Sequence, residues 1–127
     1  MPTGARVFIV LGTIVALIGV GLGALGAHRL QAYIAPNMLP VWYTAVEYQM
    51  YHALGLMVLG VVSIQLPRSA PLKWAGALMA AGILLFSGSL YLYAFSGFRP
   101  LGRIAPAGGL CFIVAWAMFA WAVARGR

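Results

Sequence analysis

The stretch "VFIVLGTIVALIGVGLGALGA", Val7–Ala27, carries no charged side chain and a single hydroxyl, Thr13. Wound as an α-helix at about 1.5 Å per residue, it covers about 30 Å, the thickness of a bilayer's hydrocarbon core. Three further runs repeat the pattern: one within Trp42–Leu66; "WAGALMAAGILLFSGSLYLYAF", Trp74–Phe95; and the shorter "AGGLCFIVAWAMFAWAVA", Ala107–Ala124. The breaks between them are rich in proline: Pro36 and Pro40, then Pro67 and Pro71, then Pro100 and Pro106. In lipid the backbone must satisfy its own polar groups, and runs of this length do so as helices rather than barrel strands. The first run is also longer than the roughly 7–15 apolar residues of a signal-peptide core, so a retained helix is expected.

Composition agrees. The chain of 127 residues is 64% hydrophobic and 7% charged, with a mean hydropathy of +0.98. A soluble domain carries about 25% charged residues. The formal charge of +7 comes from eight Lys and Arg scattered singly against Glu47, the one acidic residue. Scattered cations between apolar runs suit a membrane protein and build no nucleic-acid track, so nucleic-acid binding is not expected. Cys111 stands alone, which excludes an intrachain disulfide and any CxxC site.

These observations predict an all-α, up-down four-helix transmembrane bundle forming one integral membrane domain. Arg29–Leu39 is too short to cross and is expected as a surface segment between helices one and two. Four crossings put Arg6, Arg68, Lys73, Arg125 and Arg127 on the side of the termini, and Arg29, Arg99 and Arg103 on the other. That excess places the termini in the cytoplasm. Trp42 and Trp74 are expected as interfacial anchors on opposite sides.

The same topology gathers the scarce polar residues. His28, Glu47, Tyr48, Tyr51, His52, Ser87, Ser89 and Tyr91 all fall in the half of the bundle away from the termini, forming a candidate polar cluster. On helix two, Thr44, Glu47, Tyr48, Tyr51, His52, Gly55 and Ser63 occupy an arc of roughly 160° at ~100° per residue. That arc is expected to face inward, with Met50, Ala53, Leu54, Met57, Gly60, Val61 and Ile64 facing lipid or a partner and Gln49 at the edge. Ionisable groups within a membrane mark functional sites by default. Glu47 at headgroup depth has the competing role of an ion pair with Arg29 or Arg103. His52 has three: a neutral histidine bonded within the fold, a proton- or ligand-handling group, or a metal or haem ligand.

Several motifs fail on context. "GLGALG", Gly21–Gly26, matches a dinucleotide fingerprint but lies inside an apolar helix. Its glycines suit close packing instead, in small-residue ridges Gly12–Ala16 and Gly19–Gly23–Ala27. His28 and His52 lie at different depths, which disfavours a bis-histidine haem. Zinc would require His28, Glu47, His52 and Cys111 to converge. No acid is placed to orient His52 toward Ser87 or Ser89, so no catalytic residue, metal or cofactor is assigned. The serines are expected as interhelical polar contacts in the pairs Ser87–Tyr91 and Ser89–Tyr93.

Four blocks together carry a resemblance: "GALGAHRL" (Gly23–Leu30), "TAVEYQMYHALGL" (Thr44–Leu56), "GILLFSGSLYLYAFSG" (Gly82–Gly97) and "LGRIAPAGGLCFIVAW" (Leu101–Trp116). In this order the chain resembles the YgdD/YwdK-like membrane proteins, a family of unknown function to which a small animal transmembrane protein is related. The resemblance implies a four-helix protein of the bacterial inner membrane and brings no reaction. It matches motif positions at His28, His52, Ser87, Ser89, Tyr91, Pro106 and Gly109. At the position of Glu47 glutamine or arginine would be expected as readily, which favours His52 as the residue of interest. Three functions are candidates. The first is an interaction or accessory protein binding itself, as a homo-oligomer, or another membrane protein. The second is a pathway or binding site for a lipid, proton or small molecule, lined by the polar cluster. The third is an enzyme using His52 as acid and base. Membrane lipids are the partners common to all three.

Overall fold

A computed structural model describes residues 1–127. Helix α1 spans Thr3–His28 and α2 spans Leu39–Gln65. Between them lie two short 3₁₀ turns, Leu30–Ala32 and Pro36–Met38. Helix α3 (Ala70–Gly82) runs without a break through a π-helical turn, Ile83–Gly88, into α4 (Ser89–Ser96). A single turn, α5 (Arg99–Gly102), leads into α6 (Ala105–Arg125). The expected four-helix, all-α membrane architecture is present: four helical stretches are long and apolar enough to cross a membrane.

Helix starts and stops reflect local chemistry. Ser69 accepts the Leu72 N–H at 3.3 Å and caps α3, whose first turn contains Pro71. Gly97 stops α4 in the left-handed conformation, with φ of 70°.

Helices α1 and α2 pack as one antiparallel pair, and α3 and α6 as another. The buried residues of α1 are Ala5, Gly12, Gly19 and Gly26, one every seven positions. A strict seven-residue stripe keeps one seam facing its partner along a gently supercoiled pair. Its lack of side chains sets the spacing: a Cβ on Gly12 would lie 2.7 Å from the Ala53 carbonyl oxygen and 2.7 Å from Met57 Cγ. The small-residue ridges expected from sequence are therefore corrected. Gly12 and Gly19 are in the seam, but Ala16 and Gly23 lie at its flank and Ala27 is exposed.

Among the buried residues of α2, Trp42, Ala45, Gln49, His52, Leu56, Leu59 and Ser63 alternate steps of three and four, with Ala53, Gly55 and Gly60 buried beside them. Helix α6 repeats this with Ala105, Gly108, Phe112, Ala115, Phe119 and Ala122. That spacing is the seam of knobs-into-holes packing. The main core joins Leu56, Leu59, Leu72, Met79, Phe112 and Phe119. A second, smaller core gathers Leu30, Ile34, Trp42 and Ala94 at the end away from the termini. The connection between α1 and α2 is thus only partly a surface segment, because Leu30 and Ile34 plug the bundle's end.

The inward face of α2 also differs from the one expected. Glu47, Tyr48 and Tyr51 point outward, while Gln49 and Ala53 are buried. Near a headgroup region an amphipathic tyrosine or a carboxylate gains water by facing out, so polarity there does not mark the bundle interior. Trp42 is buried rather than an interfacial anchor, whereas Trp74 is exposed as expected.

Candidate functional site: the polar clasps on α2

Each of the other three membrane-spanning stretches is hydrogen-bonded to α2 within the bundle. From α1, the Val15 carbonyl accepts the Gln49 side-chain N–H at 2.9 Å, and the Leu22 carbonyl accepts Trp42 Nε1–H at 2.9 Å. From the third stretch, Ser87 Oγ donates to the Ala45 carbonyl at 2.7 Å and the Tyr91 hydroxyl donates to Gln49 Oε1. From α6, Trp116 Nε1–H donates to His52 Nε2 at 3.0 Å. Gln49 is only 4% exposed and uses both ends of its amide, bridging α1 and α4 across α2.

His52 is also 4% exposed. Its partners fix its state. An indole N–H only donates, so Nε2 accepts; the Tyr48 carbonyl, 2.7 Å from Nδ1, only accepts, so Nδ1 carries the proton. The ring is the neutral Nδ1–H tautomer with both nitrogens engaged. It stacks on Phe112 with centroids 3.5 Å apart and planes 9° from parallel. Tyr48, 38% exposed, lays its ring 4.6 Å from that of Phe86 and covers this stack from outside.

The π-helical turn places Ser87. Its wider winding rotates the rest of the stretch, so Ser87 and Tyr91 both aim at α2. The turn sits against Gly108, where a Cβ would lie 2.8 Å from Phe86 Cβ and 2.9 Å from Phe86 Cα. Ser89 is buried but donates to the Phe86 carbonyl in its own stretch, at 3.0 Å, rather than to a neighbouring helix.

Of the eight residues expected to cluster, the structure brings together His52, Ser87 and Tyr91 around α2, with Tyr48 as their outer cover. His28 is exposed at the end of α1, Glu47 is exposed, Tyr51 is 55% exposed, and Ser89 is turned aside. Gln49 and Trp116 join the site without having been expected there. The three-four spacing that includes Gln49 was present in the sequence; nothing marked Trp116. His28, Glu47, His52 and Cys111 do not converge, and no group of three such side chains could hold a metal.

Every buried side-chain nitrogen and oxygen has a hydrogen-bond partner. Both ring nitrogens of His52 are among them, held by the Tyr48 carbonyl and the Trp116 indole. Two lateral clefts flank the π-turn. One, of about 280 Å³, borders Gln49, Ser87 and Tyr91 beside Ile18 and Leu84. The other, of about 390 Å³, borders His52, Phe86, Phe112 and Trp116. Both are walled mainly by apolar side chains.

Residues 22–109, which hold all the clasping side chains except Trp116, match the family model described as "Protein of unknown function (DUF423)". The chain belongs to this family. Among its relatives, the UPF0382 membrane protein YwdK of Bacillus subtilis is 48% identical over 94% of this chain and 98% of its own length. The UPF0382 membrane protein SAB0533 of Staphylococcus aureus is 47% identical over 89% of this chain and 91% of its own. The UPF0382 membrane protein SH2409 of Staphylococcus haemolyticus is 46% identical over the same shares. No solved structure matches. The chain is a DUF423 membrane protein with four candidate spans.

Proposed function

We propose that this DUF423 protein is a non-catalytic accessory protein of the bacterial inner membrane, with cytoplasmic termini, that works by packing against another membrane helix. One observation carries the proposal: every buried polar side chain is committed to a partner inside the chain. A proton or solute path requires polar groups with capacity left for the passenger, and a hydrolytic or transfer site requires a nucleophile or base with a free lone pair. Gln49, His52, Ser87 and Tyr91 instead hold the bundle together. The face left for others is α1, whose Val10, Ile14, Leu17 and Ile18 are exposed while its glycine seam is occupied by α2. The arginine and lysine distribution supports the orientation.

The test is cysteine crosslinking in native membranes, with Cys111→Ser as background. Leu17→Cys is expected to form a discrete crosslinked species, and Leu56→Cys, fully buried, is expected to form none. Absence of any Leu17→Cys product would overturn the accessory reading. So would solute or proton flux in liposomes that is lost in a folded His52→Ala variant. The two lateral clefts favour a second reading, a binding site for a lipid or small molecule. It predicts that filling the His52 cleft with Gly109→Leu, at a glycine that lines it, alters retention of a bound molecule without altering crosslinking at position 17.

A further inference from the structure

At the end of the bundle holding the termini, the α2–α3 connection and the end of α6 border an open cavity of about 330 Å³ lined by Arg68, Ser69, Ala70, Pro71, Trp121, Arg125 and Arg127. Three exposed arginines line this one space. Local structure brings them together. Gly126 adopts the left-handed conformation, with φ of 70°. The Arg127 N–H then returns to the Ala122 carbonyl at 3.2 Å and the Gly126 N–H to Val123 at 3.1 Å, a paired reverse turn that ends α6. The turn bends the backbone at Arg127 back toward the last turn of α6. Arg125 lies 5.2 Å from the centre of the Trp121 ring, which holds its guanidinium beside the cavity. Glu47, the one acidic side chain, is on α2 about 27 Å from that helix's end at Gln65 and does not neutralise the group.

We propose that this cavity binds the phosphate of an anionic phospholipid. Guanidinium forks recognise phosphate oxygens in pairs, and three of them match one diester group from several sides. Residues at the start of α3 form a further wall, where the positive end of that helix's dipole favours an anion. The occupant is a lipid rather than a soluble anion because part of the lining is the exposed indole of Trp121, one turn from the end of a membrane-spanning stretch at Arg125, where aromatic side chains favour the headgroup level. Basic pockets between spans recognise acidic headgroups in this way. A lipid site here and a helix-packing face on α1 occupy different surfaces, so the lipid site holds whether or not the accessory role does.

The experiment is native mass spectrometry of the full chain in detergent, titrated with phosphatidylglycerol and, separately, phosphatidylcholine. The wild-type chain is expected to retain phosphatidylglycerol at least about tenfold better. The combined variant Arg68→Gln, Arg125→Gln and Arg127→Gln should bring the two lipids to near parity. Arg29→Gln, Arg99→Gln and Arg103→Gln, which removes the same charge from the opposite end, should leave the preference in place. Unfolding temperature in detergent checks that both variants are folded. Equal retention of the two lipids by the wild type, or equal loss in both variants, would overturn the proposal. Displacement of phosphatidylglycerol by millimolar inorganic phosphate would overturn it in favour of a free phosphate ligand.

Discussion

Replacing Gln49 by methionine, a side chain of similar length and volume, removes the amide while leaving the seam filled. Two hydrogen bonds go with it: the one to the Val15 carbonyl and the one from Tyr91. The Val15 carbonyl sits within α1, whose own backbone ladder satisfies it, so its loss is small. The Tyr91 hydroxyl is left beside apolar neighbours. Interhelical side-chain hydrogen bonds in membranes contribute about 0.6 kcal/mol on average and up to about 1.7. Gln49→Met should therefore cost about 1–3 kcal/mol, and Tyr91→Phe about 1 kcal/mol. Because the two share a bond, their effects should not add: the double variant should recover about 0.6–1.7 kcal/mol relative to the sum of the singles. Reversible unfolding in mixed micelles, followed by circular dichroism, measures all four corners of the cycle. Strict additivity would refute the bridge between α2 and α4, and with it the view of α2 as the element to which the others are fastened.

Gly12→Leu should cost at least about 1–3 kcal/mol in the same assay, because its Cβ would meet the Ala53 carbonyl and Met57. Gly21→Ala, with open space around it, should be neutral or stabilising by up to about 1 kcal/mol. Gly108→Ala should displace the π-turn and abolish a crosslink engineered between positions 45 and 87, while Gly88→Ala, in open space, should preserve it. His52→Phe keeps the stack on Phe112 but strands the Trp116 indole N–H, and should cost about 1–2 kcal/mol in unfolding free energy.

The four spans were legible because lipid imposes one rule over some twenty consecutive residues, and Val7–Ala27 obeys it with only Thr13 as a polar side chain. Which face of α2 turned inward was harder. Choosing by polarity selected Glu47, Tyr48 and Tyr51, residues that gain water by facing out. The packing signal lay in the spacing Trp42, Ala45, Gln49, His52, Leu56, Leu59, where a glutamine occupies a seam position among apolar neighbours. His52 was singled out from the sequence and is central in the structure, although its partner Trp116 is 64 residues away and carried no local mark. Ser87 and Tyr91 were expected to meet neighbouring helices and do. The π-turn that aims them has no composition of its own; it depends on Gly108 of a different helix, which only the fold brings near.

The buried polar side chains of this bundle are engaged with partners inside the chain, and the proposed accessory function rests on that engagement. Nitrogen NMR of histidine-labelled protein in lipid bilayers tests it most directly, at His52. A single neutral tautomer is predicted, protonated at Nδ1 and hydrogen-bonded at Nε2, with no magnetisation transfer from water. A ring protonated at Nε2, or one exchanging rapidly with bulk water, would contradict it.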